Sequence, residues 1–229
     1  MKKKYYFFKM NDTTLSILPF VILVIELGLL YFFDHKLLLQ IKDIFLNDIV
    51  TFLILMLAYC AVHEFFHSLA YIVHRIPFDK ITYGIALEKG VFYCLCKQNI
   101  KRNMILRALL YPFFFLGIVT LIIGIVFDIP MLSFLSIFNI TGCSGDLVMF
   151  FFILKFDKDI EFSEFDSEIS FALYTDKDIS KTKFLGIDYI ECKDTIKRED
   201  LKKVKVSKHS LLALVVIVII YVLYKVLNL

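Results

Sequence analysis

The stretch IVTFLILMLAYCAVHEFFHSLAYIVH, Ile49 to His74, decides how this chain is read. It is longer than the roughly 20 apolar residues a helix needs to cross a hydrocarbon core. Yet His63, Glu64 and His67 lie inside it. A charged side chain at the centre of a span costs about 2.5–3.5 kcal/mol on insertion scales, so such residues usually face a bundle interior and carry a function.

The rest of the composition agrees with a membrane setting. Of 229 residues, 59% are hydrophobic and 16% aromatic, against about 45–50% apolar in soluble domains. Five apolar stretches have spanning length, at about 14–33, 49–74, 104–127, 130–154 and 210–227. The sequence therefore predicts an all-α polytopic membrane protein of about five transmembrane helices. The net charge of +3 is too small to suggest nucleic acid. Cys60, Cys94, Cys96, Cys143 and Cys192 form no C-x-x-C pair and read as free thiols. The basic start MKKKYYFFKM precedes an apolar run long enough to span, with no small-residue cleavage site after it, and reads as the flank of an uncleaved first span.

Lysine and arginine placement orients the spans. Four precede the first span, seven lie in 75–107 and twelve in 155–208, whereas the 34–48 loop has only Lys36 and Lys42. By the positive-inside rule the N-terminus, 75–103 and 155–209 are cytoplasmic and the C-terminus is outside. Within the first of these loops, DKITYGIALEKGVFYCLCKQ, residues 79–98, alternates apolar residues around Glu88-Lys89-Gly90 and predicts a β-hairpin. The charged segment 155–209 carries strand-like runs, ISFALY and FLGIDYI, and reads as a small cytoplasmic segment before the last helix, 210–229. Residues 1–154 are then the membrane-embedded core.

His63-Glu64-Phe65-Phe66-His67 is H-E-x-x-H. Residues four apart on a helix share a face, so both imidazoles can grip one metal ion. Glu64, turned by about 100°, can reach a water held there. The expected ion is Zn2+ with tetrahedral geometry, which needs a third protein ligand and keeps one open position.

For that third ligand His74 and Asp79 follow closely, but His74 is two turns from His67 and near the end of the span. Asp146, in NITGCSGDLVMFFF (139–152), is a lone acid deep in the fourth apolar stretch. The H-E-x-x-H centre and Asp146 stand about 13 Å and 12 Å from the inner ends of their helices at 1.5 Å per residue, so they lie at one depth on helices of the same direction. Gly142 and Gly145 would let the helices approach closely. Cys143 competes with Asp146, though the carboxylate is preferred. Asn139, seven residues before Asp146, returns to nearly the same face. Its amide could donate to an oxyanion or orient substrate, or simply bond another helix. Glu26 is a further intramembrane acid, read as an interhelical partner.

At this point the chain resembles a known group. A membrane-embedded H-E-x-x-H with an Asp in a later glycine-flanked span is similar to site-2-protease-type intramembrane metalloproteases. HEFFHSLAY, the hairpin, RALLYPFFFLG and NITGCSGDLVM more closely resemble the bacterial "putative zincin peptidase" family of integral membrane proteins, over about residues 49–190. The site-2 class carries an Asp-Gly pair, whereas the order here is Gly145-Asp146. The resemblance implies zinc held by His63, His67 and Asp146, with Glu64 as base.

The expected function is hydrolysis of peptide bonds in a membrane or membrane-proximal protein substrate, in or at the cytoplasmic edge of a bacterial cell membrane. Here Glu64 and Asn139 are the expected catalytic groups. The hairpin could offer an edge strand to an extended substrate or act as a cap over the site. The competing expectation is a non-catalytic metal-binding membrane protein or a helper subunit of a transporter.

Overall fold

The computed structural model describes residues 2–47, 49–86, 91–164, 170–195 and 204–205, together with 215, 216, 219, 220, 223 and 227. It overturns the all-α expectation, because two antiparallel sheets accompany the helices. The larger has five strands in the order β4-β5-β6-β1-β7. These are β1 (Lys4–Met10), β4 (Ile100–Lys101), β5 (Glu161–Glu164), β6 (Ser170–Thr175) and β7 (Ile187–Lys193). The smaller joins β2 (Ile81–Ala86) and β3 (Val91–Cys96) to β8 (Val204–Lys205).

The stretch read as a basic flank is the reason for the correction. KYYFFKM is rich in aromatics that suit a pleated, half-buried surface. As β1 it pairs on one side with β6, Lys4 opposite Thr175, and on the other with β7, Tyr5 opposite Lys193. Of the hairpin, both strands form, with Ile81 opposite Cys96 and Ala86 opposite Val91, while residues 87–90 lie outside the described ones. On β3 the buried face carries Cys94 and Cys96 rather than Tyr93 and Leu95. Tyr93 lies over Gly84 instead, the end of its ring filling the space a side chain there would take.

Among the helices, α1 (Asp12–Phe33) and α3 (Ile49–Val73) are each long and apolar enough to cross a membrane. So is the run from Arg102 to Val126. That run comprises α4 (Arg102–Tyr111), a π-helical segment (Pro112–Val119) and α5 (Thr120–Val126). The expected fourth span is broken, with α6 (Pro130–Gly142) and α7 (Ser144–Leu154) meeting at a 44° bend. Residues 34–48, expected as a loop, hold α2 (His35–Asn47), which buries Leu37, Ile41 and Ile44. Most of 210–227 lies outside the described residues, and Val215, Val216, Ile219, Ile220, Leu223 and Leu227 within it are helical.

The chain divides into two compact units. One comprises Met1–Ile17, Ser68–Leu110 and Gly145–Val206 and holds both sheets. Its core is aromatic: Phe8 and Phe152 are fully buried, 5.0 Å apart edge to face, with Phe171 against both. The other comprises Leu18–His67, Tyr111–Ser144 and Ser207–Leu229. Its centre is α6, buried on nearly every side from Met131 to Ile137. Neither Gly142 nor Gly145 is crowded among the described residues. A Cβ at Gly142 would meet nothing within 4 Å, and Gly145 faces only Met10. A tight position between helices is Gly124 on α5, where a Cβ would meet Ser133 Oγ and stand 2.8 Å from the Ser133 backbone nitrogen.

Candidate metal centre

His63 and His67 stand one turn apart on the unbroken helix α3, their Nε2 atoms 3.1 Å apart and their rings nearly perpendicular. Zinc–nitrogen bonds of about 2.0–2.1 Å at tetrahedral angles place two ligand nitrogens about 3.3 Å apart. The observed separation suits two ligands of one ion. His67 is buried and His63 and Glu64 are half-buried.

His63 Nδ1 lies 2.9 Å from Asn139 Oδ1. The amide Nδ2 of Asn139 donates to the carbonyl of Pro112 at 3.1 Å. Asn139 itself is buried on α6. One turn before His63, Tyr59 ties α3 to the π-helical segment. Its hydroxyl reaches Leu116 O at 3.0 Å and Thr120 Oγ1 at 2.7 Å. Thr120 Oγ1 is in turn 2.7 Å from Ser136 Oγ on α6. Proline lacks an N–H and cannot continue the α pattern, so the widened turn begins at Pro112.

Asp146 sits in the first turn of α7, where a carboxylate suits the positive helix end. Helix α7 is held at both ends by its own unit. Met10 of β1 meets Gly145, and Phe8 of β1 packs on Phe152. At its C-terminus Arg102 donates to Ile153 O at 3.2 Å and to Leu154 O at 2.8 Å, satisfying carbonyls a helix end leaves over. A ligand atom from each of His63, His67 and Asp146 lies within 4.8 Å of the other two. It is the metal-type group of three found among the described residues. Two imidazoles and a carboxylate are the donor set of open zinc sites.

The other candidates fall elsewhere. Arg107 of α4 donates to His74 Nε2 at 2.7 Å. Asp79 is exposed beside Lys80. Cys143 is fully buried, its sulfur 4.0 Å from His63 Nδ1 and 3.7 Å from the Asn139 amide. Glu26 accepts from Thr141 Oγ1 at 2.6 Å, a bond between α1 and α6. The sequence reading passed over Tyr59 and Arg102. Tyr59 could have been found, since it stands four residues before His63 on the same helical face. No local signal pairs Arg102 with carbonyls some fifty residues away.

No curated protein and no solved structure matches the chain. Residues 55–160, slightly under half of it, match a family described as "Putative zincin peptidase". The matched region contains both histidines, Glu64, Asn139 and Asp146, and its likeness is to a zinc-dependent peptidase.

Proposed function

We propose that this chain is a membrane-embedded zinc metallopeptidase acting on membrane or membrane-proximal protein substrates. The observation that carries the reading is the pair of Nε2 atoms 3.1 Å apart on an apolar helix. Two polar rings aimed at one point in such a helix are costly unless they share a ligand. Asp146 is the third ligand of this reading, supported by its place within 4.8 Å of both imidazoles.

A zinc ion bound by these residues supplies Lewis acidity, lowering the pKa of a water toward about 7 and polarising a carbonyl oxygen. Glu64, next to His63 and turned about 100° around α3, accepts the proton that the attacking water loses. It then delivers that proton to the nitrogen of the scissile bond as the C–N bond breaks, so the product amine leaves neutral. Tyr59 and Asn139 fix the helix and ring that carry the ligands.

The membrane arrangement is part of the proposal. The segments before α1, before α4 and after α7 all supply strands to one five-stranded sheet. An even number of crossings must then separate them. Out through α1, back through α3, out through α4 and α5 and back through α6 and α7 satisfies this. The same segments are the lysine- and arginine-rich ones, which supports a cytoplasmic sheet. Within the second unit, Asp128 in the α5–α6 turn accepts from Lys36 at 2.8 Å and Gln40 at 3.2 Å of α2.

The test compares membrane proteomes of cells carrying the wild type and Glu64→Gln, alongside the zinc content of both purified proteins. The reading expects one zinc per chain in each protein and accumulation of uncut substrates only with Glu64→Gln. Zinc retained with no change in any cellular protein would favour a metal-binding helper, and a wild type free of zinc would sink both.

A further inference from the structure

We infer that Asn139 is a positioning residue which fixes the tautomer of His63, and that the π-helical turn at Pro112 fixes Asn139. The inference rests on the reading of His63 as a metal ligand and adds to it the group that makes the ring ready.

Donor and acceptor chemistry sets the orientation of the amide. A backbone carbonyl only accepts, so the atom of Asn139 that meets Pro112 O at 3.1 Å is the NH2 group. The amide is then oriented, and the atom 2.9 Å from His63 Nδ1 is the carbonyl oxygen, again only an acceptor. His63 Nδ1 must therefore carry the proton. A neutral imidazole with its proton on Nδ1 has its lone pair on Nε2, the atom facing His67. An isolated histidine side chain favours the opposite tautomer, with the proton on Nε2, which cannot bind a metal through that atom. The Asn139 oxygen reverses the preference. Cys143 Sγ, 4.0 Å from the same Nδ1, is a poor substitute because sulfur accepts weakly.

The orientation of the amide depends on the π turn. Residues Pro112 to Val119 depart from α geometry, and carbonyls from two of them bond side chains of neighbouring helices. Pro112 O takes Asn139 of α6, and Leu116 O takes Tyr59 of α3. Asn139 and Tyr59 thus both answer to the widened turn, one holding the ring of His63 and the other the helix one turn before it. Departures into π geometry recur at functional sites. Here the function assigned is to aim an amide. The proposal also moves Asn139 away from oxyanion binding, since its donor group is already engaged.

The experiment uses the full chain in detergent, zinc-free, with its histidines labelled with 15N. The His63 resonances are identified as those missing from a His63→Gln spectrum. Wild-type His63 is expected to show a protonated Nδ1 and an unprotonated Nε2. Asn139→Asp keeps an acceptor and retains that pattern. Asn139→Leu removes it, and the proton moves toward Nε2. Chelator competition should show zinc affinity lower by about 10–100-fold in Asn139→Leu, the usual cost of a lost outer-shell partner, and within a few-fold of wild type in Asn139→Asp. A wild-type His63 with its proton on Nε2 overturns the inference without recourse to any variant. So does an Asn139→Leu protein that keeps both tautomer and affinity. A wild type with Nδ1–H that takes up no zinc upholds the relay from Asn139 to His63 and overturns the metallopeptidase reading alone.

Discussion

Arg107 donates an N–H to Nε2 of His74 at 2.7 Å, one residue past the helix that carries H-E-x-x-H. The bond requires an unprotonated Nε2, and desolvation together with the adjacent guanidinium lowers the pKa of His74 below its ordinary 6.5. The contact's contribution to stability is therefore complete above that value and is lost as the pH falls through the lowered folded value. Thermal unfolding of wild type and His74→Gln between pH 8 and pH 5 should show the gap between them narrowing on the acid side. A constant gap would remove His74 from the pH response.

Tyr59→Phe removes a hydroxyl that meets Leu116 O and Thr120 Oγ1 in an apolar core. Leu116 O keeps the bond from Thr120 Oγ1, so the loss is that of one hydrogen bond, about 0.5–1.5 kcal/mol. Unfolding in mixed detergent micelles should show a loss in that range, with Tyr59→Leu no better. A variant as stable as wild type would mean the hydroxyl contributes little there.

Gly124→Ala forces a methyl group against the backbone of Ser133, 2.8 Å from where its Cβ would stand. Backbone cannot swing aside as a side-chain tip can, so a cost of about 1–3 kcal/mol is expected. Gly142→Ala meets nothing within 4 Å and should stay within about 0.5 kcal/mol of wild type. Comparing the two melting curves checks the tight α5–α6 approach against the looser site read from sequence.

Arg102→Met removes both bonds to the end of α7. Charge-assisted bonds at a helix C-terminus are worth about 0.3–1 kcal/mol through the dipole, and more where partly buried. Amide exchange in residues 150–156 should accelerate in the variant, while exchange in α2 stays as in wild type.

Metal removal should be visible in stability. A ligand that binds only the folded state adds about 2.7 kcal/mol at 100 times its Kd. Stripping zinc with a chelator should lower the unfolding midpoint of wild type, and His67→Ala should lose the difference between stripped and loaded protein. An identical midpoint with and without zinc would refute tight binding by the folded chain.

Much of the helical frame could be read from hydropathy, since three of the helical runs are long and apolar enough to cross a membrane. The sheets could not. Tyr5 to Met10 looks like a charged flank because Lys2, Lys3 and Lys4 precede it, and its partners begin some 160 residues later. Helix α2 was obscured by its charges, which hid the Leu37, Ile41 and Ile44 stripe at helical spacing. At the site, the four-residue spacing of the histidines is a local fact that any helix realises. The choice between Asn139 as oxyanion donor and as helix partner was not local. It turned on the carbonyl of Pro112, whose availability depends on a widened turn that composition does not announce.

Strand β1 is made first yet sits between β6 and β7, with Tyr5 opposite Lys193. During synthesis it must wait, unpaired, while the helices between are made. Its apolar edge invites wrong partners throughout that interval. Closure of the sheet is thus a late checkpoint on biogenesis. A fusion or cleavage near Lys4 would be felt at Phe152 and Gly145, at the two ends of the helix that presents Asp146.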